Sequence, residues 1–203
     1  MATDRTAVIG FPVDHSLSPI IHNHWIKELG LDTKTYDKIN VDPNKFEEQI
    51  SNLKAEGYGG LNVTVPLKEL AFSISDETSS VSKKLKSVNT LSLNSEKIDG
   101  DNTDAVGFIN SLDEKTIENN ITNKKTLVLG AGGSARSVVY ALNELGSHVR
   151  LFNRTPEKAE ILLYDLSINS SPIGVEELGD YANSSSFIVN TTSLGQKAGE
   201  QNN

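Results

Sequence analysis

TLVLGAGGSARSVVYALNELGSHVRLFNRTPEKAEILLYDL, residues 126–166, decides the architecture. It reads as a short apolar strand, a glycine turn, an amphipathic helix, a second strand and a second helix. That is one βαβ unit with its continuation, because parallel strands need a crossover helix between them. GAGGSA has the spacing Gly130-x-Gly132-x-x-Ala135. In a dinucleotide site the first glycine permits the tight turn, the second lets a pyrophosphate approach the backbone, and a small third residue lets helix and strand pack. The helix N-terminus then offers unpaired N–H groups to the phosphates. A glycine pattern alone is weak; a strand before it and a helix after it are the context that gives it weight, against the alternative of a ligand-free turn. The candidate cofactor residues are Gly130, Ala131, Gly132, Gly133, Ser134 and Ala135.

The end of the second strand sets selectivity, since an NAD site carries Asp or Glu there for the ribose hydroxyls. This chain has Asn153, Arg154 and Thr155. No carboxylate repels a 2′-phosphate, and the Arg154 guanidinium suits one. Thr155 adds a hydroxyl and is also placed to cap the next helix, with Pro156 at its first position. NADP is expected over NAD.

Working outward, FIVNTTSLG (187–195) is a further apolar strand with a polar loop. Toward the N-terminus, strands are expected at 6–10, 34–41 and 59–66, and helices at 19–29 and 43–57. A polar helical stretch is expected at 67–86, then a strand pair in SVNTLSL and KIDGDN. The expected fold is α/β: an N-terminal substrate domain with a mixed sheet (1–104) and a Rossmann-like NADP-binding domain (105–203), with the joint near 104–120.

The 203 residues carry a net charge of −8, which disfavours nonspecific nucleic-acid binding. No apolar run approaches the roughly 18 residues of a membrane span, and no secretory signal is evident at the N-terminus. The absence of cysteine excludes disulfides and thiolate metal sites and suits a reducing cytoplasm. His22 and His24 stand two apart on a helix, hence on different faces, and with no acidic cluster nearby no metal is expected.

Unusual polarity gathers at the ends of the N-terminal strands, where α/β folds build sites. In DHSLSPIIHN (14–23), Ser18 and Pro19 read as a helix cap and first position, or Ser16 and Ser18 with the helix terminus as a seat for an anion. NVTVPLK (62–68) presents Lys68 from a proline corner; SVNTL (87–91) holds Asn89; GDNTDAVGF (100–108) sets Asp104 at a helix start. A Lys and an Asp brought together stabilise each other's charged state and suit proton transfer beside a carbonyl. Singly, each has a plainer reading as a surface charge, a cap or a turn residue.

SLSP, NVTVPLK, VNT, GDNTD, GAGGSAR, NRT and NTTSLG occur in the order and approximate spacing of the shikimate dehydrogenase family, which the chain resembles from Val8 to Gly195. The resemblance implies a cytoplasmic enzyme, monomeric or homodimeric, that interconverts 3-dehydroshikimate and shikimate with NADPH on the route to aromatic amino acids. It implies that Ser16 and Ser18 hold the substrate carboxylate, and that Thr64, Lys68, Asn89 and Asp104 surround the ring hydroxyls and the reacting carbonyl. Lys68 is then the nearest proton donor and Asp104 its partner. Sequence leaves open which of the two is formally the acid.

The chain departs from the pattern in stopping at GQKAGEQNN, where family members continue with more of the cofactor sheet and a helical segment returning to the substrate domain; a truncated cofactor domain is expected. Lys86-Ser87 replaces the usual Gly-Ala, and Gln196 the usual Met. A quinate/shikimate dehydrogenase using NAD or NADP, and a truncated non-catalytic binder, are the alternatives.

Overall fold

β1 (Arg5–Gly10) is the hinge of the N-terminal architecture, with β2 (Thr35–Asn40) and β3 (Tyr58–Val63) parallel to it on either side. The structure, a computed structural model, describes residues 5–94, 96–192 and 194. Its contacts divide the chain into two units, Met1–Thr103 and Asp104–Asn203.

In the first unit, α1 (Ser18–Glu28) crosses from β1 to β2, and α2 (Phe46–Ala55) from β2 to β3. α3 (Lys68–Ile74), β4 (Glu77–Thr78) and α4 (Ser80–Leu85) follow, then β5 (Thr90–Leu93) and β6 (Ile98–Asp101). The sheet order is β2-β1-β3-β5-β6-β4; β5 is antiparallel to β3 and β6, so the sheet is mixed. A short loop suffices between β5 and β6, whereas parallel neighbours spend a helix on each crossover. Ile9, Leu61, Val63 and Leu91 form the core with Phe46, Ile50 and Leu53 of α2.

Two expectations are corrected here. The stretch 67–86 is not one helix: Ser75 turns extended, the Asp76 N–H donates to the Ile98 carbonyl at 2.8 Å, and Ser79 starts α4 afresh by accepting from the Ser82 N–H at 3.2 Å. Sheet pairing and a new cap outbid helical continuity. Ser18 is not an N-cap either. Leu17 occupies that position, Ser18 is the first helical residue, and the Ser16 hydroxyl accepts from the Ser18 N–H at 3.3 Å. The apolar spacing places α1 correctly, but its stripe faces outward: Ile20 is 70% exposed and Trp25 54%, while Ile26 packs inward.

In the second unit, α5 (Asp104–Asn110) leads to α6 (Glu114–Thr116), which widens into a π-type turn through Ile121. The polar run 113–125 shows no helical period, yet the Asp113 carboxylate caps this turn and Ile121 is fully buried. β7 (Lys125–Leu129), α7 (Gly133–Glu144), β8 (His148–Phe152), α8 (Pro156–Asp165), α9 (Leu178–Ser184) and β9 (Phe187–Asn190) follow. The strands lie parallel in the order β8-β7-β9 over a core of Val128, Val139, Leu142, Leu151 and Leu163. Among the described residues no helix is long and apolar enough to cross a membrane.

Candidate functional site

In the second unit, β7 is central and its two neighbours lie on opposite sides, so the chain reverses its order at the C-terminal end of β7. Open α/β sheets bind ligands at such switch points. Gly130 sits there with φ +102°, and its N–H donates to the Phe152 carbonyl at 2.8 Å. A Cβ on Gly130 would lie 2.8 Å from Thr191 Oγ1, so both its backbone and the approach of the β9 loop require glycine. At Gly132 and Gly133 an added Cβ meets nothing within 4 Å. Gly132 is the N-cap of α7 and has no side-chain cap, which leaves the first-turn N–H groups directed at a ligand. Bare glycine backbone and an uncapped helix start are what a pyrophosphate needs. The residues fit the cofactor.

The cleft there holds about 410 Å³ and is lined by Gly130, Ala131, Gly132, Asn153, Arg154 and Thr155 together with Phe152, Lys158, Thr191 and Thr192. Among the described residues no carboxylate lines it, while two cations, Arg154 and Lys158, do. Gly133 and Ser134 lie in the first turn of α7 outside this lining, and Ala135 is fully buried, as the packing role of a small third residue requires. Asn153 acts as a clasp. Its Oδ1 accepts from the Ala131 N–H at 3.1 Å, and its Nδ2 donates to the Thr155 carbonyl at 2.7 Å, tying the glycine loop to the end of β8. Thr155 occupies the N-cap position of α8, but its hydroxyl makes no capping bond, which corrects the expectation of a capping role. Sequence reasoning missed Lys158, Phe152, Thr191 and Thr192. Lys158 was findable: it stands three residues after Thr155, one turn along α8 on the same face. Ser193, Gly195 and Gln196 lie outside the described residues.

In the first unit the topology collects the other candidates at one sheet edge. Ser16 and Ser18 follow the C-terminal end of β1, and Thr64 and Lys68 that of the parallel β3. Asn89 precedes β5, which runs antiparallel to β3, so it starts from the same edge; Thr103 follows β6 at that edge too. Thr64 is fixed by its N–H to the Ile9 carbonyl at 2.9 Å, and its carbonyl accepts from the Leu67 N–H at 3.0 Å. Lys68 opens α3 directly after that turn, and its carbonyl accepts from the Val88 N–H at 3.0 Å. The Asn89 Oδ1 accepts from the Thr103 N–H at 3.1 Å, while its Nδ2 donates to Thr103 Oγ1 at 3.0 Å. Asp104 is the first residue of α5 in the second unit.

Tyr36 and Asn62 are polar groups that sequence reasoning passed over. The Tyr36 phenol donates to Asn62 Oδ1 at 2.6 Å. Burial pushes this phenol up to about 12. Its ring stacks on His22 with centroids 4.1 Å apart, and Asn23 clasps its backbone at 2.8 and 3.1 Å. Desolvation lowers the His22 pKa, so the stack is with a neutral imidazole at neutral pH.

Residues 8–91 match the model of the shikimate dehydrogenase substrate binding domain, and residues 111–199 that of the shikimate / quinate 5-dehydrogenase. A shikimate dehydrogenase (NADP(+)) of Methylocella silvestris is 40% identical over 196 residues, 97% of this chain and 70% of the relative. Among solved structures, shikimate dehydrogenase from Aquifex aeolicus superposes with a TM-score of 0.88 at 38% identity, covering 98% of this chain and 73% of that one. The Thermus thermophilus shikimate 5-dehydrogenase in complex with NADP(H) and shikimate gives 0.80 at 32% identity, covering 94% and 69%. Matches to both units, at identities that reach 40% over nearly the whole chain, place this protein in the shikimate dehydrogenase family.

Proposed function

We propose that the chain is an NADP-dependent oxidoreductase that interconverts 3-dehydroshikimate and shikimate in aromatic amino acid biosynthesis. The observation that carries this reading is the switch-point cleft, whose glycine floor is flanked by Arg154 and Lys158 and whose lining includes no carboxylate among the described residues. Arg154 and Lys158 pair with the 2′-phosphate, and Gly132 and the α7 N-terminus receive the pyrophosphate. NADPH supplies the hydride when bound. Ser16 and Ser18 anchor the ring carboxylate, and Thr64 and Asn89 orient the ring hydroxyls. Lys68 gives the proton to the carbonyl oxygen, with Asp104 as the second group of the proton pathway. The first unit serves as the substrate domain and the second as the cofactor domain of a cytoplasmic monomer or homodimer.

Initial rates with shikimate and quinate, each with NADP+ and NAD+, test the assignment; a preference for quinate with NAD+ rejects it. Lys68→Ala and Asp104→Asn are expected to lower kcat about 10²–10⁴-fold, the usual worth of a positioned acid or base, while NADP+ affinity is retained. Calorimetric binding of both ligands without any turnover by the unaltered chain would favour a non-catalytic binder.

A further inference from the structure

Asparagine is depleted in strands, yet β2 closes on Asn40, and both polar atoms of its amide are used. The Asn40 Oδ1 accepts from the Val13 N–H at 2.9 Å, and its Nδ2 donates to Asp14 Oδ1 at 3.1 Å. Lys38, two residues back on the same face of β2, donates its ammonium to the Asp14 carbonyl. Val13 and Asp14 open the stretch of loop that carries Ser16 and Ser18. From Val13 the chain is tied forward bond by bond. The Ser16 N–H donates to the Val13 carbonyl at 3.0 Å, and the Ser18 N–H donates to the Ser16 hydroxyl at 3.3 Å. Three successive hydrogen bonds therefore lead from the Asn40 amide to the second serine.

The two contacts ask for opposite chemistry from one side chain. Val13 is fully buried, so its N–H needs a protein acceptor, and leaving it unpaired costs more than the bond itself returns. Asp14 offers a carboxylate, which accepts and cannot donate. An amide meets both needs. An aspartate at position 40 would still receive the Val13 N–H but would set a second carboxylate against Asp14. We infer that Asn40 is a positioning residue for the carboxylate seat: it fixes the start of the serine loop on β2, so that the Ser16 and Ser18 hydroxyls are in place before the anion arrives. A loop ordered in advance loses less entropy on binding. In this role Asn40 acts through Val13 and Asp14. The strand end beneath the loop is held separately, by the Val41 N–H on the Gly10 carbonyl at 3.0 Å and the Phe11 N–H on the Val65 carbonyl at 3.2 Å. Changes at Asn40 therefore loosen the loop and leave the sheet paired. The inference rests on the reading that Ser16 and Ser18 hold the substrate carboxylate.

Calorimetric titration of the full chain with shikimate, its methyl ester and NADP+ tests the inference. The Ser16→Ala/Ser18→Ala double variant is expected to weaken shikimate by about tenfold or more. If it binds normally, the carboxylate reading and the inference fall together. Given that loss, Asn40→Asp should weaken shikimate about tenfold and Asn40→Ala about five- to tenfold, the scale of a buried donor or a charged partner left unpaired. Asp14→Asn should stay within about twofold, because the new amide oxygen still accepts from Asn40. Adding Asp14→Asn to Asn40→Asp should bring shikimate back to within about twofold of the unaltered chain, since donor and acceptor have traded places at unchanged net charge. The neutral ester should lose no more than about twofold in any variant at position 40, with NADP+ affinity unchanged. Equal losses of acid and ester mark a loosened domain, and an exchanged pair no tighter than Asn40→Asp marks a plain charge effect. Either result overturns the positioning role alone, as does normal binding by Asn40→Ala. If Asn40→Asp does not fold, Asn40→Ala and the exchanged pair decide by the same comparison of acid with ester.

Discussion

Gly130 and Gly132 stand two residues apart in one turn, and alanine at each should fail in a different way. At Gly130 the backbone has φ +102°, where a side chain costs about 1–3 kcal/mol. The new Cβ would also lie 2.8 Å from Thr191 Oγ1, 3.0 Å from Thr192 Cγ2 and 3.2 Å from the Thr192 nitrogen. Thr191 cannot swing aside without giving up its hydroxyl bond to the Leu129 carbonyl at 2.7 Å, worth about 1 kcal/mol. Gly130→Ala is therefore expected to destabilise the second unit by about 2–4 kcal/mol. At about 4–8 °C per kcal/mol for a unit of this size, the melting midpoint should fall by about 10–25 °C. At Gly132 the backbone is extended (φ −92°) and an added Cβ meets nothing within 4 Å. Gly132→Ala should leave the stability within about 0.5 kcal/mol of the unaltered protein. Its methyl would nevertheless occupy the floor of the cleft, so NADP+ affinity should fall at least tenfold. Differential scanning calorimetry with and without NADP+ measures both effects. If Gly132→Ala binds NADP+ normally, or melts as early as Gly130→Ala, the cleft has been misassigned.

Arg154→Ala should cost about 10–100-fold in NADP+ affinity, the scale of a charge-assisted phosphate contact, with NAD+ affinity unchanged; equal losses for the two cofactors would refute the 2′-phosphate role. Lys158→Ala should show the same selectivity with a smaller loss, read in the same titration. The Arg136–Asp165 pair at 2.9 Å joins α7 to α8, with side chains 15% and 17% exposed, so Asp165→Asn should lower stability by about 2 kcal/mol in urea denaturation; an unchanged midpoint would deny the pair a structural role. Burial raises the phenols of Tyr36 and Tyr58 to about 12, above their unfolded value near 10. Their contribution to stability is fully present below pH 10 and is lost as pH rises from 10 toward 12. Tyr36→Phe and Tyr58→Phe should each remove a late component from the 295 nm absorbance titration.

Residues 126–166 were legible because their information is local. A glycine with positive φ, a period-3.6 helix and apolar strands announce themselves within a few positions, and the strand–turn–helix of the cofactor cleft stands where that stretch put it. The stretch 67–86 misled for the opposite reason. Its helical composition gave no sign that Asp76 would pair with Ile98, twenty-two residues away, and break the helix. Likewise Ser18 looked like a cap because caps are recognised by residue type, whereas the capping bond depends on where the Ser16 oxygen lies.

The amino-acid sequence by itself determined the class of fold, the family, the glycine turn and the cation at the tip of β8, since each follows from spacing along the chain. Only the tertiary structure decided that Ser16, Ser18, Thr64, Lys68 and Asn89 share one sheet edge, that Asn153 clasps the glycine loop, and that the Tyr36 phenol reaches Asn62. Hydrogen bonds between strands depend on register and direction, and those are settled by which apolar faces pack together across the sheet.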